Sequence, residues 1–234
     1  MTVYFGPNPN LIALPYLIPT DGLQLLLDAN SHSPGSLQWL DTSKRERHFY
    51  WKSAPTYGAD GNVLYFSTLG TNRVSGPAAN SFEITETSGY TIFFVMKQLS
   101  LNNASAFNFY GDGAYNRGIF GHTTWSDNIL YFDQGGCCGA DTRTQVTSGG
   151  SFDWHVYTYR RLTGSSTRTI SKNGQTLITN TSSAALLKLN STPVDLITSD
   201  NWNARLNGFV VYNRGLSDDE VSSVSSAIRN YLSI

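Results

Sequence analysis

Apolar positions along this chain come in short bursts separated by Gly, Asn, Asp and Ser, the punctuation of a β-protein rather than of a helical one. Leu23–Asp28 opens the series as a continuous apolar run. Val63–Phe66, Tyr90–Lys97, Ala106–Tyr110, Gly118–His122 and Ile129–Asp133 follow, then Trp154–Arg161, Thr167–Lys172, Gln175–Thr181 and Ala204–Tyr212. Short strands at this spacing predict a sandwich. Lys172-Asn173-Gly174-Gln175 marks the clearest turn, because Asn-Gly accepts positive φ at both central positions and closes a type I′ hairpin. Trp154–Arg161 alternates Trp154, Val156, Thr158 and Arg160 with His155, Tyr157, Tyr159 and Arg161, which predicts a half-exposed strand.

The two ends depart from this pattern. In residues 1–20, Pro7, Pro9, Pro15 and Pro19 interrupt apolar residues, forbidding a helix or central strand while leaving the segment too apolar for a solvated linker. We read it as an extended docking arm, lying on its own domain or on a neighbouring subunit; Tyr4, Phe5, Leu11, Ile12, Leu14 and Tyr16 are its candidate contacts. At the other end, Ser217-Asp218-Asp219-Glu220 is a capping box. Val221, Val224, Ile228 and Leu232 then form one apolar stripe on a helix. Residues 21–234 show no internal repeat and no boundary, and are read as one domain.

Three stretches, in this order, resemble the laminin G-like branch of the concanavalin A-like jelly rolls. They are Gly22–Ala29 with Trp39-Leu40-Asp41 after it, Trp154–Thr158 with the Asn173-Gly174 hairpin, and Asn207–Val221 with its Tyr212-Asn213-Arg214-Gly215-Leu216-Ser217-Asp218 core. The resemblance covers residues 21–234 and implies an all-β jelly-roll sandwich with a short closing helix. It does not fix a function. Family members often follow the early Trp-x-Asp with a Gly- and Asn-rich turn. Here Thr42–His48 is the densest charge run in the chain, either a solvated loop or a surface where Arg45 and Arg47 pair with acidic groups of a partner.

Composition narrows the function. Sixteen Lys and Arg balance seventeen Asp and Glu, and only 14% of the 234 residues are charged, so a nucleic-acid or anionic-membrane surface is not expected. No run approaches a membrane span, and the first residues lack a signal-peptide pattern. Glu83-Ile84-Thr85-Glu86 is the nearest approach to a glycosidase motif, but that spacing would put its carboxylates on opposite faces of a strand. No nucleophile elbow is present, and the four histidines lie in separate segments. An enzyme is therefore not expected.

Binding chemistry remains. Tyr115, Trp125, Asp127, Asn128 and Trp202 combine aromatic, amide and acidic side chains in loops, the composition of a glycan site. The family resemblance implies that loop carboxylates can hold Ca2+, with Asp127, Asp133, Asp141 and Asp200 as candidates. Cys137-Cys138 sits between glycines; two reduced thiols in a tight turn is the simpler reading, and a strained vicinal disulfide the alternative. Taken with the family-level prior, these features predict a non-enzymatic virion structural protein of a bacteriophage, a capsid decoration or fibre/tail component. It would dock through its N-terminal arm on other virion proteins and form a homo-oligomer, most simply a trimer. The alternative is a glycan-binding lectin module that attaches to host surfaces.

Overall fold

Aromatic and β-branched runs become strands here because each can bury one or both faces. The computed structural model describes residues 14–68, 73–101, 103–112, 117–122, 124–148, 152–182, 187–197 and 202–234. In chain order the described strands are β1 (Leu23–Asp28), β2 (Gln38–Trp39), β3 (Phe49–Trp51), β4 (Thr56–Asp60), β5 (Val63–Ser67), β6 (Val74–Ala78), β7 (Tyr90–Gln98) and β8 (Ser105–Tyr110). There follow β9 (Arg117–His122), β10 (Ile129–Gln134), β11 (Arg143–Thr147), β12 (Trp154–Arg161), β13 (Arg168–Lys172), β14 (Gln175–Asn180), β15 (Pro193–Leu196) and β16 (Ala204–Tyr212). One helix, α1 (Asp218–Leu232), closes the chain.

The strands form two antiparallel sheets. The first runs β14-β13-β12-β7-β16-β5-β4, with β1 also paired to β16; the second runs β11-β10-β9-β8-β15-β6-β3-β2. Between them lies a core that includes Trp39, Phe66, Phe94, Phe107, Trp202 and Phe209, as a jelly-roll sandwich requires. A register shift between Leu206 and Gly208 on β16 resets the strand's alternation. Leu206 and Phe209 therefore both face the core, although they are three apart.

The first sheet is covered on its outer face as well. Val221, Val224, Ile228 and Leu232 of α1 pack with Phe93, Val95, Val156 and Val210 of the sheet and with Leu14 and Ile18. This is why β12 is buried almost end to end instead of half-exposed: the helix covers the face that alternation assigns to solvent. Arg160, on that covered face, donates to Leu216 O at 2.7 Å and pairs with Asp218. The Tyr231 hydroxyl donates to the Asp28 carboxylate at 2.8 Å, tying α1 to the end of β1.

Local signals held where the chemistry is local. Asn173 and Gly174 have φ of 53° and 82°, the two positive values of the expected turn. Both halves of the capping box form: Ser217 Oγ accepts from Glu220 N, and the Glu220 carboxylate accepts from Ser217 N. Arg214 grips the same carboxylate at 2.7 and 3.0 Å. Glu83 and Glu86, by contrast, flank no strand. Glu83 sits at φ 56° after a short 3-10 turn, and Glu86 accepts from Leu187 N at 2.6 Å.

Ser217→Ala removes the N-cap acceptor from a helix that covers a whole sheet face. We expect it to lower unfolding free energy by about 1 kcal/mol in urea denaturation. An unchanged midpoint would show that the cap is not stabilising.

Candidate functional site

No described element lies over the second sheet's outer face as α1 lies over the first. Strand registers align one residue from each of its eight strands on that face: Arg143, Asp133, Phe120, Asn108, Asp195, Ser75, Tyr50 and Gln38, each opposite the next. Side chains opposite one another in antiparallel strands share a face, so this is one continuous polar and aromatic row. Phe120 and Tyr131, on this face, belong to neither apolar cluster.

Asp133 anchors one end. Its side chain is wholly buried, and four donor atoms from three side chains reach it. Arg143 donates from Nε at 2.6 Å and Nη2 at 2.8 Å, Arg117 Nη1 at 2.6 Å, and His122 Nε2 lies at 3.1 Å. Burial pushes the carboxyl's pKa up, but the hydrogen bonds from Arg143 and His122 outweigh it and hold the group at about 2. Burial also lowers the His122 pKa against the pull of Asp133. A neutral ring donating from Nε2 leaves Nδ1 to accept from Ser105 Oγ, 3.1 Å away.

That anchor positions an aromatic group. The Arg143 guanidinium lies 4.3 Å from the centroid of the Tyr131 ring. Trp125 meets His122 and Tyr131 edge-on, each at 5.4 Å between ring centres. Trp125 is partly buried, and its indole Nε1 has no hydrogen-bond partner among the described residues. Asp127 accepts from Tyr131 OH and, at 3.1 Å, from Ile129 N. Asn128, at φ 66°, turns the loop back.

At the other end Tyr50 is 53% exposed. Gln38 Nε2 donates to its hydroxyl at 3.1 Å. Beside it Asp195 accepts from Ser75 Oγ at 2.6 Å and Tyr110 OH at 3.1 Å. Between the two ends the Asn108 carboxamide oxygen is buried without a donor among the described residues. An aromatic platform next to an acid, an amide and hydroxyls is the chemistry that holds a sugar ring.

Trp125, Asp127 and Asn128 share the turn before β10, and the structure corrects other expectations. Trp202 is fully buried against Phe94, so it is a core residue and not a glycan platform. Asp133 spends both oxygens on Arg117, Arg143 and His122, and both Asp127 oxygens have donors, so neither is disposed as a calcium ligand. Asp141 is exposed, and no metal-ligand group of three forms among the described residues. Cys137 and Cys138 are joined as a vicinal disulfide, not two thiols.

The docking residues divide in the same way. Arg47 turns inward, donating to Gln24 O and Oε1 and to Ser81 O, with its guanidinium over Phe82, so it braces its own domain. Arg45 is exposed. Leu14 is buried under α1 and Tyr16 is 80% exposed. Tyr4, Phe5, Leu11, Ile12, Tyr115 and Asp200 lie outside the described residues. Sequence reasoning missed Tyr50, Ser75, Tyr110 and Asp195. Phe49-Tyr50-Trp51, an exposed tyrosine between two buried aromatics, was the available signal.

No family model matches the chain, and no curated protein does. Solved structures do. The receptor-binding domain of botulinum neurotoxin C/D mosaic serotype superposes with a TM-score of 0.65 at 11% identity, covering 89% of this chain and 52% of that one. The binding domain of Paraclostridial Mosquitocidal Protein 1 gives 0.66 at 17% identity over 90% and 53%. Trypanosoma rangeli sialidase gives 0.65 at 16% identity, over 92% of this chain and 34% of the enzyme. The chain thus spans about half of the toxin chains and a third of the sialidase. At these identities the likeness establishes the all-β sandwich fold alone.

Asp133→Asn would leave two guanidiniums facing a neutral amide in a buried site, and we expect a loss of about 3–5 kcal/mol in denaturant unfolding. The Asp133 carboxyl lies at about 2 in the folded chain against an ordinary 3.8. Its stabilisation is therefore complete above the ordinary value and disappears as pH falls through the folded one. A pH series of unfolding midpoints should show a smaller acid loss in Asp133→Asn than in the unaltered chain, the remainder including that of Glu220, which Arg214 also holds at about 2.

Proposed function

We propose that this chain is a non-catalytic glycan-binding module, and that the sugar lies on the outer face of the second sheet between Tyr50 and Trp125. The observation that carries the reading is the eight-strand row, with an exposed tyrosine beside Asp195 at one end and a partly buried tryptophan near Asp133 at the other. The structural comparisons support it. Solved structures with this fold include toxin receptor-binding domains, among them that of botulinum neurotoxin type C, whose cell entry depends on interaction with two ganglioside molecules (TM-score 0.67, 13% identity).

The reading is non-catalytic because the buried carboxylate of the site is locked by two arginines, whereas a general acid needs a pKa raised towards neutrality. A virion component that attaches to host sugars would satisfy both expectations from the sequence, and the comparisons favour the sugar-binding half. The docking arm adds less weight to assembly than expected, since Leu14 and Ile18 pack on the chain's own helix.

The full chain should retain a subset of glycans on an array. Tyr50→Ala should weaken that retention roughly tenfold, the ~1.4 kcal/mol scale of one aromatic platform, with an unchanged melting temperature. Trp202→Ala should instead destabilise the fold by about 3–5 kcal/mol. An array without any retained glycan, or Tyr50→Ala binding like the unaltered chain, sinks the proposal.

A further inference from the structure

Two arginines point into the sandwich where a core normally excludes charge. Arg161 of β12 and Arg168 of β13 are directly opposite in register, and Tyr90 of β7 is opposite Arg161 on its other side. Tyr90 and Tyr159 line the core, and Arg161 follows Tyr159 by two residues on the same strand face. Arg168 is completely enclosed and Arg161 only 8% exposed.

Their partners do not suffice. Arg161 Nε donates to Ser165 O and Arg168 Nη2 to Asp141 O, each at 2.9 Å. Arg161 Nη1 and Arg168 Nε and Nη1 are buried without an acceptor among the described residues. Among the described residues no carboxylate comes within 4.0 Å of either guanidinium, whereas Asp133 alone collects Arg117, Arg143 and His122. Tyr90 cannot supply the missing charge. Its hydroxyl donates to Gln134 Oε1 at 2.7 Å, and burial drives its pKa upward, so it stays neutral. Two like charges, desolvated and facing each other, are strongly unfavourable unless a counter-charge joins them.

We propose that Arg161 and Arg168 together form a binding site for a small inorganic anion of the halide class, chloride in practice, which accepts from the three unpartnered nitrogens. A bare halide is the smallest anion that could reach a fully enclosed guanidinium; a carboxylate or phosphate carried on a larger molecule could not. A groove of about 720 Å³ opens at the sandwich edge between β11 and β14, lined by Cys138, Ala140, Arg143, Asn180 and Ser182. The loop holding Cys138 and Ala140 also carries Asp141, whose carbonyl receives Arg168. The site is remote in role from sugar binding and does not depend on it.

The test is thermal unfolding of the full chain, chloride replacing gluconate at fixed ionic strength. The melting temperature should climb by about 3–5 °C for each tenfold rise in chloride above its dissociation constant, following mass action. Arg168→Gln should abolish the dependence, and the exposed Arg45→Gln should keep it. Identical melting in chloride and gluconate, or a dependence that survives Arg168→Gln, overturns the proposal in favour of water as the partner of both arginines. Should Arg168→Gln fail to fold, crystals of the unaltered chain grown in bromide decide it. An anomalous peak between the two guanidiniums upholds the site, and its absence there overturns it.

Discussion

The buried carboxylate of Asp133 governs the outer face of the second sheet. An isolated charge with no solvent exposure would be expelled or protonated; this one stays ionised because two guanidiniums and an imidazole converge on it. Each donor belongs to a neighbouring strand, Arg117 and His122 to β9 and Arg143 to β11, so one side chain pins three strands. The pinned donors orient the aromatics in turn: Arg143 over Tyr131, His122 against Trp125. Such a hydrogen-bonded shell preorganises a binding surface without moving parts.

A second constraint decides which face is available. The C-terminal helix and the Leu14–Ile18 segment cover the first sheet with aliphatic side chains, leaving the second sheet's outer face to the polar row. The asymmetry is written in side-chain type. Phe93, Val95 and Val210 point outward on the first sheet, whereas Asp133, Asn108, Asp195 and Ser75 do so on the second.

Much of this was legible in the chain. Leu23–Asp28, Trp154–Arg161 and Ala204–Tyr212 have the expected bounds, and the capping box and Asn-Gly hairpin formed, because turns and caps are decided by nearest neighbours. The strands at Gln38–Trp39, Phe49–Trp51, Thr56–Asp60, Val74–Ala78, Arg143–Thr147 and Pro193–Leu196 escaped notice. They are short or polar, and are held by pairing partners distant in sequence, Ser75 with Asp195 for one. The site was half-legible for the same reason. Trp125, Asp127 and Asn128 share a loop, whereas Tyr50, Ser75, Tyr110 and Asp195 meet only when four strands align. Trp202 misled because composition cannot tell a loop tryptophan at a rim from one folded under Phe94.

The five tryptophans make the central claim directly measurable. In a proton–nitrogen spectrum of the labelled chain, each indole N–H is a separate reporter, with Trp39 bonded to Asp28 O and Trp154 to Asp60 on other parts of the fold. Titration with a ganglioside headgroup oligosaccharide should shift the Trp125 indole resonance progressively and leave Trp39, Trp154 and Trp202 in place. Shifts confined to Trp154, on the first sheet, or no shift at saturating sugar, would contradict the assignment of the second sheet's face as the binding surface.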